Sequence, residues 1–453
     1  MKDECGVAGR CSSSSDDAIH EIYDDPSREA WQATFLKEYW KRKPVVLRGF
    51  FEDSHPALTG DDVAGLACEG GVDSKVVVEN GRIPWSVMHG PFAERDFSSL
   101  TGTPGLKWCL LVYGVDRWIP GVSELFDRFP FIPRWKFDDI MVSYSPMGGM
   151  GVGPHVDSYD VFLLQTSGSK VWTLSREPLA NQIGKEIYVE GLETKILRDN
   201  AWDRDYITRV KPGDVLYIPP GVAHHGVSVV DKPSSGGESI TISVGIRDPS
   251  TLDIIGGLSD HLVSMQSSSK ECVTSIPLPE ERACAGELTP ETVRGIVGIA
   301  ASQLFANGKS IADTEILSPE VVEWVGKLLT RSRGEPQQLP FRETYDDVEK
   351  NFALTNFILD HIKGGGVLRQ NESTRVAYYV HPEGSVVSVF ANGVQYRTEI
   401  PQSNETSRSI LQAISSNTIV PRSSLVSLLG ERSDSGIVIL VEQLVRDGVL
   451  YIE

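Results

Sequence analysis

Between Asp138 and Ile246 the chain is cut into short β-rich runs by glycine and proline, and this punctuation limits its fold more than any other feature. The runs read IMVSYS, then the turn-like PMGGMGVGP, HVDSYDVFLLQ, TSGS, KVWTLS, DVLYIPPGVAHHGVSVV and, after a polar insertion at 232–239, ITISVGI. Short strands separated by turns imply an antiparallel sandwich or barrel.

The flanks read differently. Trp31, Phe35, Leu36, Tyr39 and Trp40 recur at helical spacing, and KPVVLRG follows as a short strand closed by a turn residue. After Asp248-Pro249 the pattern turns helical: Thr289 before Pro290 and Ser318 before Pro319 are N-cap signals with proline at the first helical position. Beyond these, VAYYVHPEGSVVSVFANGVQYRTEI predicts strands with a hairpin turn at Asn392-Gly393. Two or three short helices (SRSILQAI, RSSLVSLL, IVILVEQLVRDG) and a final VLYIE strand have a winged-helix-like order. A chain of 453 residues is too long for one core. The reading divides it into a polar, Ser-rich, acidic tail (1–26) expected to be disordered, a catalytic domain (27–250), a helical domain (251–345) and a winged-helix-like domain (346–453).

Charge narrows the partners. A formal net charge of -19 opposes general binding to nucleic acid and suits a basic protein or peptide. From Thr406 onward there are five acidic and four basic residues, so no basic stripe marks the C-terminal region for polyphosphate. No run of roughly 18 apolar residues predicts a membrane span. The N-terminus lacks a signal-peptide core, and six scattered cysteines show neither a CxxC pair nor a disulfide spacing. The expectation is a soluble intracellular protein, cytoplasmic by preference, with nuclear, nucleolar and organellar placement left open.

Two residues apart on a strand, His155 and Asp157 project from one face some 6–7 Å apart, so both can converge on one ion. A third ligand has to arrive from a crossing strand, and His224, at the end of GDVLYIPPGVAH, closes such a run. Of the adjacent His224 and His225, only one can face the same ion. Two histidines and one carboxylate leave coordination positions open for oxygen and a chelating cosubstrate, as in non-haem Fe(II) oxygenases; the same set also suits zinc. Lys170, on the next β run, reads from spacing either as an ordinary strand lysine or as a fixed charge for a carboxylate.

FDDIMVSYS, GPHVDSYDVFLLQ, GSKVW, PGDVLYIPPG and SVGIR, with the earlier Phe35 to Gly49 and HGPF, resemble the ribosomal oxygenase branch of the JmjC family, most nearly the bacterial-type ribosomal-protein arginine hydroxylases. The resemblance implies an α+β multidomain protein: a double-stranded β-helix core (jelly-roll, cupin or JmjC), a helical dimerisation domain and a C-terminal winged helix, assembled as a homodimer. It implies that His155, Asp157 and His224 bind Fe(II), that Lys170 pairs with the distal carboxylate of 2-oxoglutarate, and that Ser145 hydrogen-bonds the same group. Three departures stand out. Lysine occupies a position typically held by arginine, the glycine-rich turn 146–153 is one residue longer than usual, and Thr241 sits where relatives often carry asparagine.

The implied reaction consumes 2-oxoglutarate and O2, releases succinate and CO2, and hydroxylates a side chain of a ribosomal protein, arginine first. Tyr159 and Asp160 are candidates for the walls that would hold a guanidinium. Alternative readings are a histidine-hydroxylating ribosomal oxygenase, a histone lysine demethylase, a zinc hydrolase and a non-catalytic cupin scaffold.

Overall fold

The computed structural model describes residues 19–23, 28–51, 56–149, 151–179, 187–230, 237–264, 288–304, 319–331, 352–382, 384–400, 405–430 and 435–453. Most of the expected tail, Met150, Ser318, most of the 232–239 insertion and the end of the expected helical domain lie outside these residues. The chain divides into two compact units, residues up to Val112 with Val142–Ser243, and Tyr113–Met141 with Val244–Glu453.

The first unit is built on two sheets. The strands of these sheets are β1 (His20–Tyr23), β2 (Val45–Arg48), β3 (Ser74–Val78), β4 (Ser86–His89), β5 (Trp108–Val112), β6 (Phe137–Ser145), β7 (His155–Val156), β8 (Asp160–Ser167), β9 (Ser169–Pro178), β10 (Tyr206–Val210), β11 (Val215–Ile218), β12 (Val222–Val229) and β13 (Ser239–Ile246), the start of β6 and the end of β13 being counted with the second unit. One sheet has the order β1-β2-β11-β8-β13-β6-β5-β3-β4 and the other β10-β9-β12-β7. Chain neighbours such as β7 and β8 lie in different sheets, which is the jelly-roll arrangement of a JmjC/cupin core.

Alternation along β8 and β11 sorts the faces. Val161, Leu163, Leu216 and Ile218 pack with Trp172, Leu174, Val210 and Val222 of the smaller sheet, forming the core between the sheets. Asp160, Phe162 and Tyr217 turn to the opposite face. There Phe35 of α1 (Arg28–Glu38), fully buried, meets the Tyr217 ring edge-on with centroids 4.9 Å apart, and Trp40 stacks on Phe162. Burying such a phenylalanine contributes about 1.5–3 kcal/mol. The helix predicted around Trp31–Trp40 is therefore amphipathic because it covers a sheet. Two further helices, α2 (Gly60–Leu66) and α3 (Glu94–Thr101), complete the unit's regular elements among the described residues.

One expectation for the N-terminus is corrected. Residues 20–23 are not part of a disordered tail but form β1, parallel to β2, with Glu21 on Arg48 at 2.6 Å and His20 Nδ1 on the Tyr39 hydroxyl at 3.0 Å. An edge strand gains its hydrogen bonds from backbone, so polar composition does not forbid it.

The second unit holds α4 (Pro120–Ser123), α5 (Thr251–Ser264), α6 (Pro290–Leu304), α7 (Pro319–Thr330), α8 (Phe352–Gly364), α9 (Glu405–Ser416), α10 (Arg422–Leu428) and α11 (Gly436–Arg446). Its strands are β14 (Leu368–Gln370), β15 (Val376–Val380), β16 (Val386–Ala391), β17 (Val394–Glu399) and β18 (Leu450–Ile452). The Thr289 hydroxyl accepts from Thr292 N at 3.2 Å, as its N-cap signal predicts. Asn392 and Gly393 both have positive φ, 50° and 76°, and join β16 to β17 through a two-residue turn.

Beyond the expected boundary near residue 345, Ile358, Leu368, Val389, Ile414 and Leu444 share a core cluster of their own. Val322, Val325 and Leu329 of α7 share a cluster with Tyr379 and Phe390 of the C-terminal strands and with Trp135. Residues 113–141, expected within the catalytic domain, likewise belong to this unit. Among the described residues, no helix is long and apolar enough to cross a membrane.

Candidate metal and cosubstrate site

His155 opens β7, Asp157 follows two residues later, and His224 lies in β12, paired directly with His155 across the strands. One donor atom from each lies within 4.8 Å of the others, a cluster able to hold a metal ion. His224 Nε2 is 3.6 Å and His155 Nε2 3.9 Å from Asp157 Oδ2. These gaps are too long for hydrogen bonds. Two ligands each about 2.1 Å from one ion lie roughly 3–4 Å apart, so the donor set fits a metal.

Backbone carbonyls prepare both rings. His155 Nδ1 meets Gly153 O at 2.9 Å and His224 Nδ1 meets Val222 O at 3.0 Å. A carbonyl only accepts, so each Nδ1 donates its proton and each Nε2 keeps its lone pair for the centre of the triad. Burial pushes the His224 pKa down to about 4, helped by the neighbouring His155, which further disfavours the imidazolium. His224 is buried, while His155 and Asp157 are partly open to solvent.

The interior between the sheets holds a cation. Lys170 on β9 is 3% exposed, its ammonium donates to Ser143 Oγ at 2.9 Å, and it lies 5.8 Å from the Trp172 ring. Trp172 in turn packs beside the His224 ring, with centroids 5.9 Å apart. Among the described residues the Lys170 ammonium meets a hydroxyl and no carboxylate, and burial lowers its pKa. A buried cation without a counter-charge is costly unless a ligand supplies one. That orphaned charge, inside the sandwich and beside the triad, fits a dicarboxylate such as 2-oxoglutarate.

A family model described as the JmjC domain matches residues 124–254. The "Ribosomal protein uL16 3-hydroxylase" of Escherichia coli is 30% identical over 330 residues, covering 71% of this chain and 78% of that protein. The chain belongs to the JmjC-domain ribosomal oxygenases. A Haemophilus influenzae relative named "Probable ribosomal oxygenase" is 31% identical over 365 residues, 79% of this chain and 80% of its own. The ribosomal oxygenase YcfD of Escherichia coli, solved in complex with cobalt and 2-oxoglutarate, superposes with a TM-score of 0.63 at 27% identity, covering 93% of this chain and 98% of that one. As a JmjC ribosomal oxygenase the chain is a metal- and 2-oxoglutarate-dependent dioxygenase.

Other expected site residues of this oxygenase fall differently. Ser145 is fully buried, but its hydroxyl faces Cys109 Sγ at 3.5 Å, and Ser143 is the hydroxyl on Lys170. Residues 143 and 145 share a strand face, so alternation alone could not choose between them. Asp160 does not form a wall beside the triad: it lies on the α1 side of the larger sheet and accepts from the Tyr217 hydroxyl at 2.5 Å. Tyr159 is half-buried and packs at the margin of the core between the sheets. The Thr241 hydroxyl donates to Gln165 Oε1 at 3.0 Å. His225 pairs in register with Thr173, one residue out of phase with His224.

Proposed function

We propose that this ribosomal oxygenase uses Fe(II), held by His155, Asp157 and His224, to hydroxylate a ribosomal-protein side chain, arginine by preference. The observation that carries the reading is the convergence of two imidazole nitrogens and one carboxylate next to a buried, carboxylate-free ammonium. Bound iron and 2-oxoglutarate supply oxidative decarboxylation to succinate and CO2, coupled to insertion of an oxygen atom into an unactivated C–H bond.

The protein's own residues orient and exclude. Lys170 and Ser143 bind the distal carboxylate of 2-oxoglutarate, the lysine by charge and the serine by a hydrogen bond. Lysine gives up the bidentate fork that arginine offers, and Ser143 provides the second polar contact. Gly153 and Val222 hold the protons on the two histidine Nδ1 atoms, keeping Nε2 available throughout turnover. Trp172 fills the space between Lys170 and His224, keeping water from the ammonium. The net charge of -19 favours approach of a basic ribosomal protein, and the counterpart of the relative's uL16 is the first candidate substrate.

We also infer that the helical region 251–345 mediates homodimerisation and that 346–453 forms a winged helix. The order α8, β14, β15–β17, α9–α11, β18 supports the second assignment. Cytoplasmic action is the accompanying proposal, with nuclear, nucleolar and organellar action as the alternatives.

The test is incubation of Fe(II)-loaded protein with 2-oxoglutarate and ribosomal-protein peptides, read by mass spectrometry for a gain of roughly one oxygen atom, with His155→Ala as control. Modification of arginine, lost in the control, is the expected result. Modification of histidine would keep the chemistry and move the specificity. Absence of succinate and of product from metal-loaded protein would remove the oxygenase reading.

A further inference from the structure

The two histidines of the triad are held in different ways. His224 sits inside β12, which has β9 on one side and β7 on the other. His155 starts β7, a two-residue strand at the sheet edge, and is preceded by the Gly153-Pro154 turn. Little sheet pairing therefore fixes His155, and its position depends on what grips that turn.

Two excursions from the sheets do so. From the β3–β4 connection comes Trp85, whose backbone is left-handed at φ 59° and whose amide donates to Glu79 O at 3.2 Å. A left-handed tryptophan is strained and persists only where its surroundings over-determine it. Ile196 and Leu197 come from the segment after Tyr188, and Leu197 N donates to Pro154 O at 2.8 Å.

Between them lies Gly153, with φ 84°. A Cβ at this position would stand 2.5 Å from Ile196 Cδ1 and 3.1 Å from Trp85 Cζ3, so side chains close over the residue with no room to spare. Gly153 is also the residue whose carbonyl accepts the hydrogen bond from His155 Nδ1. Displacement of Gly153 would turn or free the imidazole.

We propose that Trp85 is a positioning residue for the metal centre: its indole, opposed by Ile196, clamps Gly153 so that the carbonyl holds His155 in the ligating tautomer and orientation. The inference rests on the assignment of His155 as a metal ligand. It makes the β3–β4 connection part of the metal site although none of its residues belongs to the ligand cluster.

The test uses metal-free full-length protein titrated with Co(II) by calorimetry and visible absorption, with apo thermal unfolding measured in parallel. Trp85→Ala is expected to bind cobalt at least about tenfold more weakly, the range typical of residues that orient metal ligands, while the apo protein remains folded at the assay temperature. Trp85→Phe, which keeps a ring over Gly153, should recover binding to within roughly threefold of wild type. Gly153→Ala, which forces the indole and Ile196 apart, should reproduce the loss. Wild-type cobalt affinity in folded Trp85→Ala overturns the proposal; if that variant does not fold, normal binding by Gly153→Ala does so. The metal assignment is judged separately, because its failure would appear as equal cobalt binding by wild type and His155→Ala, which removes the basis of the proposal as well.

Discussion

Replacing Lys170 with methionine keeps the length of the side chain and deletes its charge. Lys170 is 3% exposed and its ammonium has Ser143 Oγ as polar partner, with no carboxylate among the described residues. Two consequences of opposite sign follow. Without cosubstrate the buried cation lowers stability, and exchanging such a group for an apolar one of similar volume stabilises by about 1–4 kcal/mol; Lys170→Met should therefore unfold at higher temperature than wild type in metal-free, cosubstrate-free buffer. With 2-oxoglutarate the charge becomes useful, because a hydrogen bond to a charged group contributes about 1.5–3 kcal/mol. That range corresponds to a rise of roughly 10- to 150-fold in the KM for 2-oxoglutarate. Thermal unfolding of the apo protein and succinate formation over a range of 2-oxoglutarate concentrations measure the two effects. A stabilised variant with a raised KM is expected. A KM within twofold of wild type would refute the assignment of Lys170 to the cosubstrate, and a less stable apo variant would refute the claim that its charge is uncompensated.

Three further outcomes are expected. Ser143→Ala should raise the KM for 2-oxoglutarate by roughly 10- to 150-fold, the equivalent of one hydrogen bond to a charged group, whereas Ser145→Ala should leave it unchanged; succinate assays on the pair distinguish the two serines. Chelation of the metal should abolish succinate formation and leave the far-ultraviolet circular dichroism unchanged, since sheet pairing and the inter-sheet core hold the fold without an ion. In the second unit, burial, aided by Asp139, raises the Asp116 pKa to about 7, well above its value in the unfolded chain. The folded state then holds a proton that the unfolded state has lost, so stability contributed by this group is full below pH 4 and falls as pH rises to about 7, by up to roughly 4 kcal/mol. Asp116→Asn, which can still accept from Ile140 N, should flatten that slope in melting temperatures measured between pH 4 and 8.

Particular elements show what could be read in advance. The HVD spacing, the GDVLYIPPGVAH run and the resemblance they carry brought His155, Asp157 and His224 together before any coordinates, because strand alternation and short loops leave few ways to place them. Lys170 was legible only through the resemblance: spacing cannot tell a buried lysine from an exposed one. Ser145 came from the resemblance alone, and Ser143, two residues earlier on the same strand face, is the hydroxyl that meets Lys170. Asp160 looked like a neighbour of the triad because chain proximity suggests it. The strand after Asp157 crosses into the other sheet, and alternation then turns Asp160 towards α1.

Local chemistry in the sequence determined the strands, turns and caps, since these depend on side-chain periodicity and on glycine and proline placement. The tertiary structure decided which serine meets the buried ammonium, which excursion grips Gly153, and that residues 113–141 pack with the C-terminal unit. The physical reason is that such choices are made by contacts between residues tens to hundreds of positions apart, whose pairing depends on register, sheet crossing and competition for buried space rather than on any pattern along the chain.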